Sequence, residues 1–198
     1  QILTQLPLTT TVIDFWRLVH QYNVHVIVSF ELDAISKDPT IANYLSDNMD
    51  SSLFVMNRGP SKVSELWEEQ VIRIKSRKSR SRSGEQVLTH IKCTFTALDP
   101  SKLLTFVKHL RTLLPKTSGR IVYTCRNGAE FSGLACALIL LLDRLDNDQC
   151  LAVPLTVGAL KSIRPQVIPT LTQYKILYQI LDRYNETSSS YSNLGDHK

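Results

Sequence analysis

Apolar and polar positions along this chain repeat with two periods, and each period marks a type of element. Phe15, Trp16 and Val19 share one helical face. Thr11-x-x-Asp14 ahead of them has capping-box spacing, so an amphipathic helix is predicted over Val12–His20. Val24–Phe30 (Val-His-Val-Ile-Val-Ser-Phe) is apolar and β-branched, the pattern of a strand buried inside a sheet. Residues 33–60, rich in Asp, Asn, Ser and Pro, show no period and read mostly as loop. Val71–Lys75 and Val87–Phe95 read as two strands of a hairpin with a basic tip. In the second, Val87, Thr89, Ile91, Cys93 and Phe95 alternate with Leu88, His90, Lys92 and Thr94.

Asp99-Pro100 starts a helix, with Asp as N-cap and Pro at the first position. Leu103, Leu104, Val107, Leu110 and Leu114 carry it, and Pro115 stops it. Ile121–Thr124 reads as a short strand, followed by a nearly all-apolar helix from Gly133 to about Leu145. Helices are also predicted over Leu151–Ile163 and Thr170–Arg183, and Asn185–Lys198 as a polar, disordered tail. The fold expected is a single α/β domain over residues 1–184: a twisted mixed β-sheet flanked by helices.

Composition narrows the class. With 198 residues, 43% hydrophobic and 21% charged, the chain can bury a core. Its longest apolar run, Leu134–Leu142, is nine residues, whereas a membrane span needs about 20. Four cysteines are too few for a disulfide scaffold, and none has zinc spacing with Cys or His. A reducing compartment, no metal and no cofactor are therefore expected. Cys93 and Cys136 read as core and Cys150 has no assigned role. His20, His25, His90 and His109 lack ligand spacing, and Trp67 among glutamates reads as half-buried.

Net charge is +5. Arg73, Lys75, Arg77, Lys78, Arg80 and Arg82 form a basic patch able to attract phosphates or an anionic leaflet. No aromatic residue interleaves them, so a nucleic-acid platform is not expected and the patch reads as a solvated hairpin tip. Ser76, Ser79, Ser81 and Ser83 lie between or next to the cations, where phosphorylation would cancel much of the charge.

The chemistry concentrates in Ile121-Val-Tyr-Thr-Cys-Arg-Asn-Gly-Ala-Glu-Phe-Ser-Gly133, a strand, tight loop and helix start. Such a loop can turn backbone N–H groups inward at a helix N-terminus, making an anion site that activates a cysteine. An ordinary strand–helix turn with a buried cysteine fits the same pattern.

This loop resembles the signature of protein tyrosine phosphatases: Cys, five residues, Arg, Ser/Thr, Gly. Cys125 takes the nucleophile place, Gly128 the loop glycine, Ser132 the hydroxyl and Gly133 the helix start. Thr4–Leu8, Thr11–Val19 with its Asp-Phe-Trp block, Asn23–Val28, Ile163-Arg-Pro165 and Thr172-Gln-Tyr174 also resemble the family, so the likeness covers about Gln5–Tyr184. Cys-Arg-Asn-Gly, Ala135-Cys-Ala137 and the basic hairpin are most similar to the second, membrane-distal cytoplasmic domain of receptor-type phosphatases of the leukocyte common antigen type. The chain starts at Gln1 rather than Met. The resemblance implies a fragment whose N-terminal helices and phosphotyrosine-recognition loop lie upstream.

The same resemblance implies a broken site. Phe131 stands where the phosphoryl-clamping Arg belongs, and such clamps are worth roughly 10³–10⁵ in rate. Thr124 replaces the His before the nucleophile, and Glu130 puts a negative charge where the loop has glycine. Around the general-acid loop only Asp99 remains, and it reads better as a helix cap. A general acid contributes about 10²–10⁴. Pro169 replaces the water-positioning Gln, while Gln173 persists.

A degenerate phosphate loop of Thr124, Arg126, Asn127, Gly128, Ala129, Glu130, Phe131, Ser132 and Gly133 around a vestigial Cys125 is therefore expected, with Phe131 filling the phosphate volume. The function implied is a catalytically inactive regulatory or partner-binding module. Its partners would be an adjacent active phosphatase domain or signalling proteins. Its place would be the cytoplasmic side of the plasma membrane, held by a transmembrane segment outside this chain. The alternative is a weakly active or redox-responsive enzyme using Cys125.

Overall fold

A computed structural model describes residues 1–31, 38–46, 53–77, 85–95, 98–113, 119–148 and 152–192. Six strands form one sheet: β1 (Ile2–Gln5), β2 (Val24–Phe30), β3 (Phe54–Val63), β4 (Trp67–Ser76), β5 (Glu85–Cys93) and β6 (Arg120–Cys125), in the order β1-β6-β2-β5-β4-β3. The first four strands in that order run parallel, and β4 and β3 add antiparallel pairs. The helices are α1 (Val12–Gln21), α2 (Pro100–Leu113), α3 (Glu130–Asp148), α4 (Val153–Ile163) and α5 (Leu171–Ser192).

β2 lies inside the sheet with both faces covered, which explains its unbroken apolar run. On one face α1 lays Val12, Phe15, Trp16 and Val19 against Ile27, Ile72, Ile74, Leu88 and Val122. On the other, Phe106 and Leu110 of α2, Leu138 and Leu142 of α3 and Leu177 of α5 pack over Val28, Phe30, Ile91 and Tyr123. The α/β architecture expected from the sequence is the one observed.

Several local expectations differ. Residues 54–63, read as loop, form β3; an edge strand needs no apolar period, and a bulge between Arg58 and Ser61 accommodates Gly59-Pro60. β1 carries no periodic signal because it is four residues long. The Thr11 capping box does not form. Thr11 Oγ1 accepts from Leu8 N at 3.0 Å, outside the helix, while Asp14 pairs with Arg17 at 2.8 Å. Val87, in the same alternating set as Cys93, is 46% exposed; among the described residues no helix covers that end of the sheet face. The helix expected to end at Arg183 continues to Ser192. Thr187 Oγ1 bonds back to Arg183 O and Tyr184 O, and adding residues to an existing helix costs little. Residues 193–198, the hairpin tip 78–84 with Lys78, Arg80 and Arg82, and Cys150 lie outside the described residues.

Candidate functional site

β6 is buried between β1 and β2 and delivers Cys125 to its C-terminal end. The loop then turns within four residues into α3. Cys125 O accepts from Gly128 N at 3.1 Å and from Leu6 N at 2.8 Å, fastening the turn to the end of β1. Gly128 adopts φ +64°, and a Cβ there would lie 2.3 Å from Gln5 N. Only glycine fits such a left-handed position pressed against backbone. Gly133 is the second close approach: a Cβ would meet Val167 Cγ1 at 2.7 Å.

The interior of the loop is occupied by the protein itself. Asn127 Oδ1 accepts from Ala129 N at 3.1 Å and from Glu130 N at 3.0 Å. The Cys125 thiol donates to the same oxygen at 3.3 Å, and its sulfur lies 3.2 Å from Ser132 Oγ. These amides are the donors that such a loop would offer an anion, and a carboxamide oxygen holds them. Cys125 is 1% exposed, and Ala129 and Ser132 are fully buried.

The flanks close the site further. Glu130 Oε1 accepts from Gln173 Nε2 at 2.9 Å, joining the first turn of α3 to α5. Glu130 also places its charge where the helix dipole favours an anion. Arg126 turns outward and pairs with Asp38 at 2.6 Å. Hydrogen bonds from the Thr40 hydroxyl and amide, and then Arg126, hold the Asp38 carboxyl below its usual range. Phe131 stacks on Phe30 with ring centres 6.3 Å apart. Its ring thus joins the core, and the place at the loop amides belongs to Asn127. Thr124 is fully buried, and its Oγ1 finds no partner among the described residues.

Of the remaining site residues Gln173 stays at the loop, and the others disperse. Asp99 Oδ1 accepts from Lys102 N at 2.8 Å, so Asp99 caps α2; that bond lowers its carboxyl pKa. Pro169 is exposed, next to Ile168, which is buried at φ +51°. That conformation is rare for a β-branched residue, and the turn containing it leads into Gln173. Gln173 is 1% exposed, with Oε1 unpartnered among the described residues. Arg73, Lys75 and Arg77 sit far along the sheet, at the exposed end of β4 and just past it. Burial pushes the Cys93 thiol up to about 12 and Cys136 up to about 11, as suits inert core cysteines.

Sequence reasoning grouped Asn127 with the loop but missed its role. The Asn127 side chain forms an Asx turn that caps the following amides. The helix expected from Gly133 begins at Glu130, three residues after Asn127, so this capping position was hidden in the sequence.

The sequence profile of the protein-tyrosine phosphatase family matches residues 1–183. The chain is 26% identical to receptor-type tyrosine-protein phosphatase C of Rattus norvegicus, over 91% of this chain and 15% of that protein. It is 31% identical to receptor-type tyrosine-protein phosphatase V of Rattus norvegicus, over 91% of this chain and 11% of that protein. Receptor-type tyrosine-protein phosphatase alpha of Homo sapiens is 24% identical, over 97% of this chain and 25% of that protein. The chain thus spans a quarter or less of each of these relatives.

Proposed function

The chain belongs to the protein-tyrosine phosphatase family, and from that premise we propose that it is a non-catalytic member that regulates or binds protein partners. One observation carries this reading: the Asn127 carboxamide holds the Ala129 and Glu130 amides and the Cys125 thiol, so the loop satisfies itself without substrate. A phosphotyrosyl group entering here must expel that oxygen, face the Glu130 carboxylate and bind with no cation at position 131. Each cost falls on a different part of the site, and parts acting as a unit fail together.

The setting that fits is the cytoplasmic side of a receptor-type phosphatase, where an adjacent active phosphatase domain or signalling proteins would be the partners. No helix among the described residues is long and apolar enough to cross a membrane. The experiment that tests the reading is turnover of a phosphotyrosyl peptide beside the Cys125→Ser variant, with no difference expected.

A further inference from the structure

The sheet face that carries α2 is covered over only part of its area. α2 packs on the rows of Trp67 and Glu69: the His109 ring stacks on Trp67 with centres 4.1 Å apart, and His109 Nε2 lies 3.3 Å from Glu69. β4 continues past α2 with Val71, Arg73 and Lys75 on the same face, all exposed, while Ile72 and Ile74 are buried on the other. The register sets Val55 beside Lys75 on β3, and Val87 and Glu85 beside Arg73 and Lys75 on β5. Val55, Val71 and Val87 are 38%, 41% and 46% exposed. Among the described residues neither Arg73 nor Lys75 has a carboxylate at ion-pair distance, though Glu85 sits opposite Lys75. The result is a shelf of three valines and two unpaired cations beside a helix.

We propose that this shelf docks an acidic amphipathic helix of a protein partner. In α/β folds a β-branched sheet surface is normally covered by helices, and α2 already begins that layer. Three strands spaced about 4.8 Å apart over four or five residues give an area on the order of 200 Å². Stable folded partners bury about 800 Å² a side, so the area suits one short segment rather than a second copy of this chain. An α-helix with its side chains is about 10 Å across, so α2 forms a step that a flat bilayer cannot follow down to the valines. Arg73 and Lys75 then select Asp or Glu on the flank of the incoming helix. The proposal gives the partner-binding reading a partner class, and its test uses a surface separate from the Cys125 loop.

The test is selection of 16-residue peptides from a displayed random library on the purified chain, followed by affinity measurement of the enriched peptides. Enriched sequences should be acidic, with apolar residues spaced three and four apart. Their affinity should fall at least tenfold for the exposed double change Arg73→Glu and Lys75→Glu, and at least tenfold for Val87→Asp. Both variants should keep the parent's melting temperature, and Cys125→Ser should bind as the parent does. The proposal is overturned if no peptide is enriched, if the enriched peptides are not acidic, or if binding ignores both changes. Tighter binding of phosphatidylserine vesicles or a single-stranded oligonucleotide through the same residues also overturns it. Peptide turnover at Cys125 would refute the inactive-loop reading and leave this result untouched.

Discussion

At the scale of single residues, the site is decided by which groups fill the loop. Asn127 does what a bound anion would do for Ala129 N and Glu130 N. Its loss leaves helix-start amides without their acceptor, so Asn127→Ala should cost about 1–2 kcal/mol in urea unfolding, in the range of a lost cap. On the proposed reading, Phe131 is not the sole obstacle to phosphate. Restoring the cation alone, by Phe131→Arg, should leave phosphotyrosyl hydrolysis at the level of Cys125→Ser, because Asn127 and Glu130 remain in place. A large gain from that single change would show that the loop is open.

At the scale of elements, the β6–loop–α3 unit depends on two close approaches. Gly128→Ala adds a Cβ 2.3 Å from Gln5 N in a left-handed conformation, so β1 or the loop must move. A loss of stability of about 3 kcal/mol or more is expected, since backbone strain and overpacking each cost 1–3 kcal/mol. The measurement is the urea midpoint together with amide exchange of β1, which should rise selectively. Most elements were legible in the sequence where burial is strong: β2, α2 with its Asp99 cap, and α3 show their periods because one or both faces are covered. β1 and β3 were not, because a short strand has no period and an edge strand tolerates Gly59-Pro60. The far end of α5 was hidden by its polar composition, though Thr187 bonds back into the helix. At the site, the missing cation and Asp99's cap were readable. The Asn127 plug was not, since its effect depends on how the loop folds back on itself.

At the scale of the whole molecule, a polar network lies along the sheet beside the Cys loop. Ser29, Tyr44 and Lys92 all reach Glu31, and Tyr44 OH lies 2.8 Å from His90 Nε2. Burial pushes His90 down to about 4, against the opposing pull of Glu31, with smaller contributions from Lys92 and Glu68. Burial opposes the Glu31 carboxylate as well, but Lys92, His90 and the hydrogen bonds outweigh it and hold its pKa below the usual range. The unfolded chain takes up the His90 proton near 6.5, while the folded chain resists until about 4. Stability therefore falls as pH drops through that window, by at most about 1.4 kcal/mol per unit from this group. Glu31 adds a further loss at lower pH, where its folded form is finally protonated. His90→Gln should flatten the fall between pH 6.5 and 4.5 in urea titrations; equal slopes in parent and variant would place the pH dependence elsewhere.

The claim that joins these scales is that the loop keeps its fold and has no room for substrate. Hydrolysis of a phosphotyrosyl peptide by the folded chain, measured against Cys125→Ser at equal concentration, tests it most directly. The account predicts rates that cannot be told apart. Turnover by the parent that vanishes in Cys125→Ser would contradict it and show that Asn127 yields its place to phosphate.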